Sequence, residues 1–406
     1  MDQVQAATDR LYKTHFGRLV TSLLSFSNDI DIASAEDLVQ ESFSAALTEW
    51  NKNGIPSNPS GWLYTVCRNK ALNSLKKLKT NKVSAEQEQT YFIGDSESVV
   101  DDHQLKLLFT CANPDLPPKS QVAITLKYVV NLKVEAIARL LGMTLDGVDK
   151  ILIRARQKIR SENLLREESM HSQTLKSRLA MVHKIIYLIF NEGYKSSWGK
   201  AIIREELCEE ALILNHSLLK SGLSDKETMA LQALMLFNIS RIKSRFDSNG
   251  EIVELENQDR SLWDNRLIVL ATDFLEQAKN DTVSTYHIEA SIAYLHCTAP
   301  SFESTQWHLI VKLYQQLQCN NPNPFVEMNY AIALFYSGDR ENAFQILNRL
   351  KQHPFLNQYF LLNAALGKLH LVNGNNSVAK AFLLQASQQT EFAAEKKLIK
   401  KMIEAA

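Results

Sequence analysis

Cysteine, glycine and proline are all sparse in this chain, and each shortage excludes something. Five cysteines, Cys67, Cys111, Cys208, Cys297 and Cys319, are scattered through 406 residues. No two form a CxxC, so neither a zinc ribbon nor a disulfide framework is expected. The ten histidines show no metal-ligand spacing, and no GxSxG, HExxH, GxxxxGK(S/T) or GxGxxG occurs. The chain therefore does not read as an enzyme, and no catalytic residue, metal or cofactor is expected. No apolar run approaches the roughly 18–20 residues of a membrane span. The opening Met1-Asp2-Gln3-Val4-Gln5 lacks the basic and apolar parts of a signal peptide. The expectation is a cytoplasmic protein with reduced thiols. Thirteen glycines and nine prolines leave long uninterrupted segments, and alternating strand patterns are missing; together these predict an all-α fold. An excess of positive charge is missing as well, with 45 Lys+Arg against 45 Asp+Glu. That balance argues against a protein that binds nucleic acid strongly on its own, since phosphate neutralisation drives such binding.

What is present is a soluble, globular composition with room for two or three domains. A helical block ends near residue 80, and a polar stretch, 81–103, reads as a linker. A second helical block covers about 104–165, and a third runs from about 170 to 406. The neutrality conceals segregation. The first 50 residues hold eight acids and three bases, whereas residues 61–82 and 150–160 hold bases and no acid. One basic run is usually a solvated helix face; two, in separate helical blocks, raise the case for phosphate contact.

Ser34 followed by Asp37 resembles a capping box opening a helix. Val39, Phe43, Ala46 and Trp50 then recur on one apolar face, with Asp37, Gln40, Glu41 and Ser44 opposite. After the turn-forming stretch 54–59, the next helix mixes Trp62, Tyr64, Arg68, Asn69, Lys70, Asn73, Lys76 and Lys77. Aromatics stack on unpaired bases, amides read their edges and cations hold the backbone, so the mixture suits single-stranded nucleic acid. Trp62 serves equally well as a core residue. Further on, a short amphipathic helix (134–141), Gly142 as the turn and Thr144 as the next cap form a helix-turn-helix pattern, with Ala138 and Val148 at its small and aliphatic core positions. Such motifs place the start of the second helix in the major groove. Thr144, Asp146, Asp149 and Lys150 are then candidates for base edges, and Arg154 and Arg156 for phosphate.

In this order, the motifs Ala35-Glu36-Asp37-Leu38-Val39-Gln40-Glu41-Ser42-Phe43, Trp62-Leu63 through Arg68-Asn69, and Arg154-Ala155-Arg156-Gln157-Lys158-Ile159-Arg160 resemble a bacterial sigma factor of the extracytoplasmic-function type. The resemblance implies two small helical sigma domains, 8–80 and 104–165, the second a helix-turn-helix. It implies that Asp37, Gln40 and Glu41 dock on the clamp helices of the β′ subunit of core RNA polymerase, with the β flap as a further contact. The segment Trp62–Lys77 would capture the melted minus-ten promoter strand, and the helix bearing Thr144, Asp146, Lys150, Arg154 and Arg156 would read the minus-35 element. An aspartate at position 149 departs from the basic or small polar residues common there, and Ile151 from the usual arginine.

Gly338 and Gly374, Ala343 and Ala379, and Leu347 and Leu383 share an offset of 36 residues, near the tetratricopeptide period of about 34. Residues 170–406 are accordingly expected to be a helical-repeat regulatory domain. They also resemble the C-terminal extension of a subgroup of these sigma factors, through Ile185–Tyr194, Leu255–Trp263 and Asn329–Ala333. An anti-sigma protein or a small effector acting at this domain is a further implied partner. The polar clusters Asn191-Glu192-Gly193-Tyr194 and Gln258-Asp259-Arg260 fit either ligand binding or packing between repeats. The alternative function, a one-component helix-turn-helix regulator with a helical sensor, leaves the first 80 residues without a role.

Overall fold

The computed structural model describes residues 2–27, 29–80, 96–162, 164, 172–196 and 203–405. Among them the chain is all-α, as the missing alternation predicts. Extended pairing is confined to one isolated bridge between Phe246 and Ile252. No helix among the described residues is long and apolar enough to cross a membrane. The chain divides into two compact units, Met1–Ser224 and Asp225–Ala406.

The first unit begins with α1 (Asp2–Phe26), α2 (Ile32–Asn53) and α3 (Pro59–Thr80), which pack on one another. The apolar stripe of α2 points inward: Val39, Phe43, Ala46 and Trp50 are at most 4% exposed. Burying each large side chain contributes about 1.5–3 kcal/mol, which fixes the rotation of α2 against its neighbours. The helix starts earlier than the Ser34–Asp37 pair suggests. Asp31 is the cap, and its Oδ1 accepts the Ser34 N–H at 2.8 Å. Starting there brings Ile32, 2% exposed, into the core. Gly54, at φ +82°, ends the helix in a conformation that only glycine adopts readily.

Helices α4 (Ser96–Cys111), α5 (Pro118–Tyr128), α6 (Val134–Leu140) and α7 (Leu145–Ser161) follow. α4 begins inside the 81–103 stretch expected as linker; the remainder of that stretch lies outside the described residues. The helix-turn-helix forms as its spacing predicts. Ala138 and Val148 are buried, Gly142 takes φ +59°, and the Thr144 Oγ1 accepts the Gly147 N–H at 3.1 Å. The region expected as one C-terminal domain, 170–406, is shared between the two units. Its first helices, α8 (Ser172–Tyr194) and α9 (Glu205–Lys220), pack on each other, and both pack on α4. A buried Arg178 donates from Nη1 to the Phe109 carbonyl at 3.0 Å.

α8 meets the start of α9 at Gly193, where an added Cβ would lie 2.6 Å from the Cys208 backbone nitrogen. Neither backbone can yield cheaply, so Gly193→Ala should cost about 1–3 kcal/mol through overpacking. Calorimetry of the full chain should show a lower melting temperature for the first unit, with the transition of the second unit unmoved.

The second unit contains α10 (Lys226–Ser240), α11 (Asn265–Gln277), α12 (Thr285–Thr298), α13 (Trp307–Asn320), α14 (Pro324–Ser337), α15 (Arg340–Leu350), α16 (Phe360–Val372), α17 (Asn376–Gln389) and α18 (Ala393–Glu404). From α12 onward each helix packs on the next. The 36-residue offset corresponds to two equivalent helix pairs, α14/α15 and α16/α17. Ala343, Ala379, Leu347 and Leu383 are all fully buried, and both Gly338 and Gly374 take positive φ. In the polar cluster before α11, the Arg260 guanidinium lies 4.4 Å from the Trp263 ring centroid and donates to the carbonyls of His296 and Ala299. These contacts favour packing for that cluster, because they close the C-terminal end of α12.

Candidate nucleic-acid interface

On α2, Asp37 and Glu41 are exposed one helical turn apart. Gln40 is exposed too, and its Nε2 donates to Glu36 Oε1 at 3.4 Å. Glu41 is joined to the neighbouring helix by Lys70, whose Nζ lies 3.0 Å from its Oε2.

On α3, Trp62 is half-buried and meets Trp50 edge-on at 5.4 Å, so the core reading of its ring holds in part. Tyr64 is half-buried. Arg68, Asn69, Asn73, Lys76 and Lys77 are exposed along the helix. Asn69, Asn73 and Lys76 fall at helical spacing on one strip, and Arg68 and Lys77 flank it. The Arg68 guanidinium lies 5.9 Å from the Phe26 ring centroid. The strip therefore presents amides and cations to solvent, with the Trp62 ring at its N-terminal end.

On α7 the candidates separate. Thr144 is committed to capping, and Asp146 holds Lys150 at 2.7 Å, partly cancelling its charge. Arg154 points to solvent, but Arg156 does not join it. Residues two apart on a helix face opposite ways, and Arg156 turns toward α2, its Nη1 3.7 Å from Glu36 Oε2. In this arrangement the minus-35 candidates do not share one surface.

The site pattern in the sequence does not single out Glu36, although it sits on the same helical stripe as Val39 and Phe43. A charge in an apolar row was the available signal. Its side chain is 13% exposed and pairs with Lys127 at 3.4 Å as well as with Arg156. The Tyr128 hydroxyl donates to it at 3.1 Å. Burial and the adjacent carboxylate push the Tyr128 hydroxyl well above its ordinary pKa. A second pair, Arg160 with Asp31, closes to 2.8 Å. Burial alone would raise the Asp31 pKa; the Ser34 hydrogen bond and the Arg160 and Arg156 charges outweigh it and hold Asp31 below the usual carboxylate range. Asn131, at φ +57°, donates from Nδ2 to the Tyr12 carbonyl at 3.3 Å. At the centre of the contact the end of α5 rests on α1 at Gly17, where an added Cβ would lie 2.1 Å from the Val129 oxygen.

α9 completes this assembly through one carboxylate. Glu210 approaches Arg18 of α1 at 3.9 Å and accepts a hydrogen bond from Gln104 of α4. Gln104 in turn donates to the Val129 carbonyl at the end of α5, at 3.3 Å.

Residues 11–80 match the family described as Sigma-70 region 2, and residues 109–159 match Sigma-70, region 4. Residues 178–279 match a family of unknown function, DUF6596. An uncharacterized protein, R00370, of Rhizobium meliloti (strain 1021) is 33% identical over 358 residues, 86% of this chain and 84% of the relative. The probable ECF RNA polymerase sigma factor SigI of Mycobacterium tuberculosis is 29% identical over 171 residues, 40% of this chain and 56% of that protein. The RNA polymerase sigma factor SigV of Bacillus subtilis (strain 168) is 28% identical over 144 residues, 36% of this chain and 81% of that protein. No solved structure matches the chain.

Proposed function

Because the chain belongs to the sigma factors of the extracytoplasmic-function type, which direct RNA polymerase to promoters, we propose a division of labour among its helices. Asp37, Gln40 and Glu41 on α2 contact core polymerase. The α3 strip from Trp62 to Lys77 holds the melted minus-ten strand, and α7 reads the minus-35 duplex. The C-terminal part modulates these activities: α8 and α9 keep the two sigma regions together, and the tetratricopeptide-like helix pairs of the second unit form its partner-binding scaffold.

The observation that carries the modulatory reading is the Glu36 network. The two promoter elements are separated by on the order of 80 Å of duplex at 3.4 Å per base pair. Arg156 of α7 is nevertheless ion-paired with Glu36 of α2, one residue from Asp37. A sigma factor held in this way cannot spread its two reading surfaces across a promoter, so the arrangement is a closed form that polymerase or a signal must open. The closed form also occupies Arg156 and covers the flank of the polymerase-docking helix.

Core-enzyme binding and in-vitro transcription test the assignment. Asp37→Ala with Glu41→Ala should weaken association with core polymerase at least tenfold without lowering the melting temperature, because both side chains are exposed. Strong binding of the wild-type chain to duplex promoter DNA alone, together with no association with core enzyme, would overturn it.

A further inference from the structure

Helix α7 buries Val148, Leu152, Ala155 and Ile159 in the helix-turn-helix core. Along its solvent side run Leu145, Asp149 and Ile153, all exposed and four residues apart. At that spacing each lies one turn beyond the last, rotated by only about 40°, so the three share one strip. The two aliphatic side chains are 50% and 46% exposed, on a helix whose other exposed positions are charged or polar, apart from its cap-flanking glycine. Beside them Asp146 holds Lys150 at 2.7 Å, whereas Asp149 has no ion-pair partner among the described residues. The strip thus offers apolar surface, then an open carboxylate, then apolar surface.

The floor of the major groove presents one apolar group, the C5-methyl of thymine, and aliphatic side chains recognise it by contact. A carboxylate only accepts hydrogen bonds. At adenine, the N7 acceptor beside the amino group repels it; at cytosine, the amino group stands next to a C–H. Every phosphate repels an acid on a DNA-facing surface, so Asp149 lowers affinity for all sequences. It recovers that loss only where its oxygen meets a donor, and it therefore adds discrimination rather than grip.

We propose that Leu145, Asp149 and Ile153 are the specificity-determining residues of minus-35 recognition. Leu145 and Ile153 contact the methyl groups of two thymines, and Asp149 accepts from the amino group of a cytosine between them. The assignment rests on the reading of α7 as the helix that enters the minus-35 duplex. Eight residues of helix span about 12 Å, which is three to four base pairs at 3.4 Å each. The thymines, on either strand, are therefore separated by that distance, with the cytosine near its middle.

The test assembles the full-length chain with core polymerase and selects bound duplexes from a promoter library. The selected minus-35 element should hold a cytosine with a thymine about two base pairs to each side. Replacing either thymine by uracil removes only the methyl group and should weaken wild-type binding about fourfold, from the burial of one methyl. One of these substitutions should become neutral in Leu145→Ala, and the other in Ile153→Ala. Asp149→Asn should move the preference from cytosine to adenine by roughly five- to a hundredfold, because an amide both donates and accepts. Asp149→Ala should lose the preference and bind unselected duplex more tightly. Melting temperatures should not fall, because all three side chains are exposed. A selected element without this pattern, uracil effects equal in wild type and variants, or an unchanged preference in Asp149→Asn would overturn the assignment. Arg154→Ala separates this failure from that of the underlying reading: it should weaken binding to all sequences and reduce the salt slope by about 0.9. If it does so while the strip variants leave selection unchanged, α7 still docks on the duplex and the assignment falls. If no α7 variant alters binding at the minus-35 element, the reading of α7 fails and the assignment with it.

Discussion

Gly17→Ala should open the first unit and raise promoter-specific transcription without unfolding either sigma region. Gly17 lies inside α1, where alanine is the better helix former by about 0.5–1 kcal/mol, so α1 itself should gain stability. The obstacle is external: the new methyl would sit 2.1 Å from the Val129 carbonyl oxygen at the end of α5. That oxygen belongs to a helix end also held by Gln104, and it cannot yield as a flexible side chain would. The docking must shift or release, at about 1–3 kcal/mol of overpacking strain. At 1.4 kcal/mol per decade that is roughly five- to a hundredfold in the ratio of closed to open forms. Fluorescence transfer between labels on α2 and α7 should report the separation, and activity with limiting core polymerase should rise by a comparable factor. A melting scan guards against simple destabilisation, because the core of α1–α3 is untouched. An alanine variant that stays as compact as the wild type and initiates at the same rate would show that the contact does not regulate.

This contact also marks where reading the sequence runs out. Local signals were sufficient inside each helix. The Val39, Phe43, Ala46 and Trp50 stripe faces the core, and Gly142, Thr144 and Val148 take the turn, cap and core positions that their spacing implies. These features depend on residues within a turn or two of one another. The capping pattern alone places the start of α2 three residues late, because Ser34 and Asp31 are both competent caps; the choice falls to whichever lets Ile32 reach the core. The meeting of α2 with α5 and α7 joins residues about a hundred positions apart, and periodicity carries no information at that range. Arg156 illustrates the consequence. Its residue type and place on a basic helix suggest phosphate, and only the fold reveals that its partner here is a carboxylate of the same chain. The zero net charge gains a structural meaning in the same way, since three of the cations proposed to meet DNA, Arg156, Lys70 and Lys150, are matched internally by Glu36, Glu41 and Asp146.

Removing both cations at the centre of α3, Arg68→Ala with Lys70→Ala, should abolish most promoter opening while core-polymerase binding persists. Each cation that contacts a single-stranded backbone contributes about 0.7 to the slope of log affinity against log salt. The double variant should therefore lose about 1.4 from that slope when binding of a minus-ten strand is measured with the assembled holoenzyme. The two residues are not equivalent. Arg68 is exposed, whereas Lys70 is half-buried and 3.0 Å from Glu41. An ion pair this open to solvent is worth only about 0–1 kcal/mol, so a phosphate can displace Glu41, but the exchange subtracts from what Lys70 adds. Glu41→Ala then separates two roles that the pairing joins. It should weaken polymerase association, because it removes an acid from the docking face. Once holoenzyme is saturated, it should strengthen strand capture, because Lys70 no longer has to leave a carboxylate. Opposite changes in those two measurements would place Glu41 and Lys70 at a junction between polymerase docking and promoter melting. A fall in both would mean that Glu41 serves only to position Lys70.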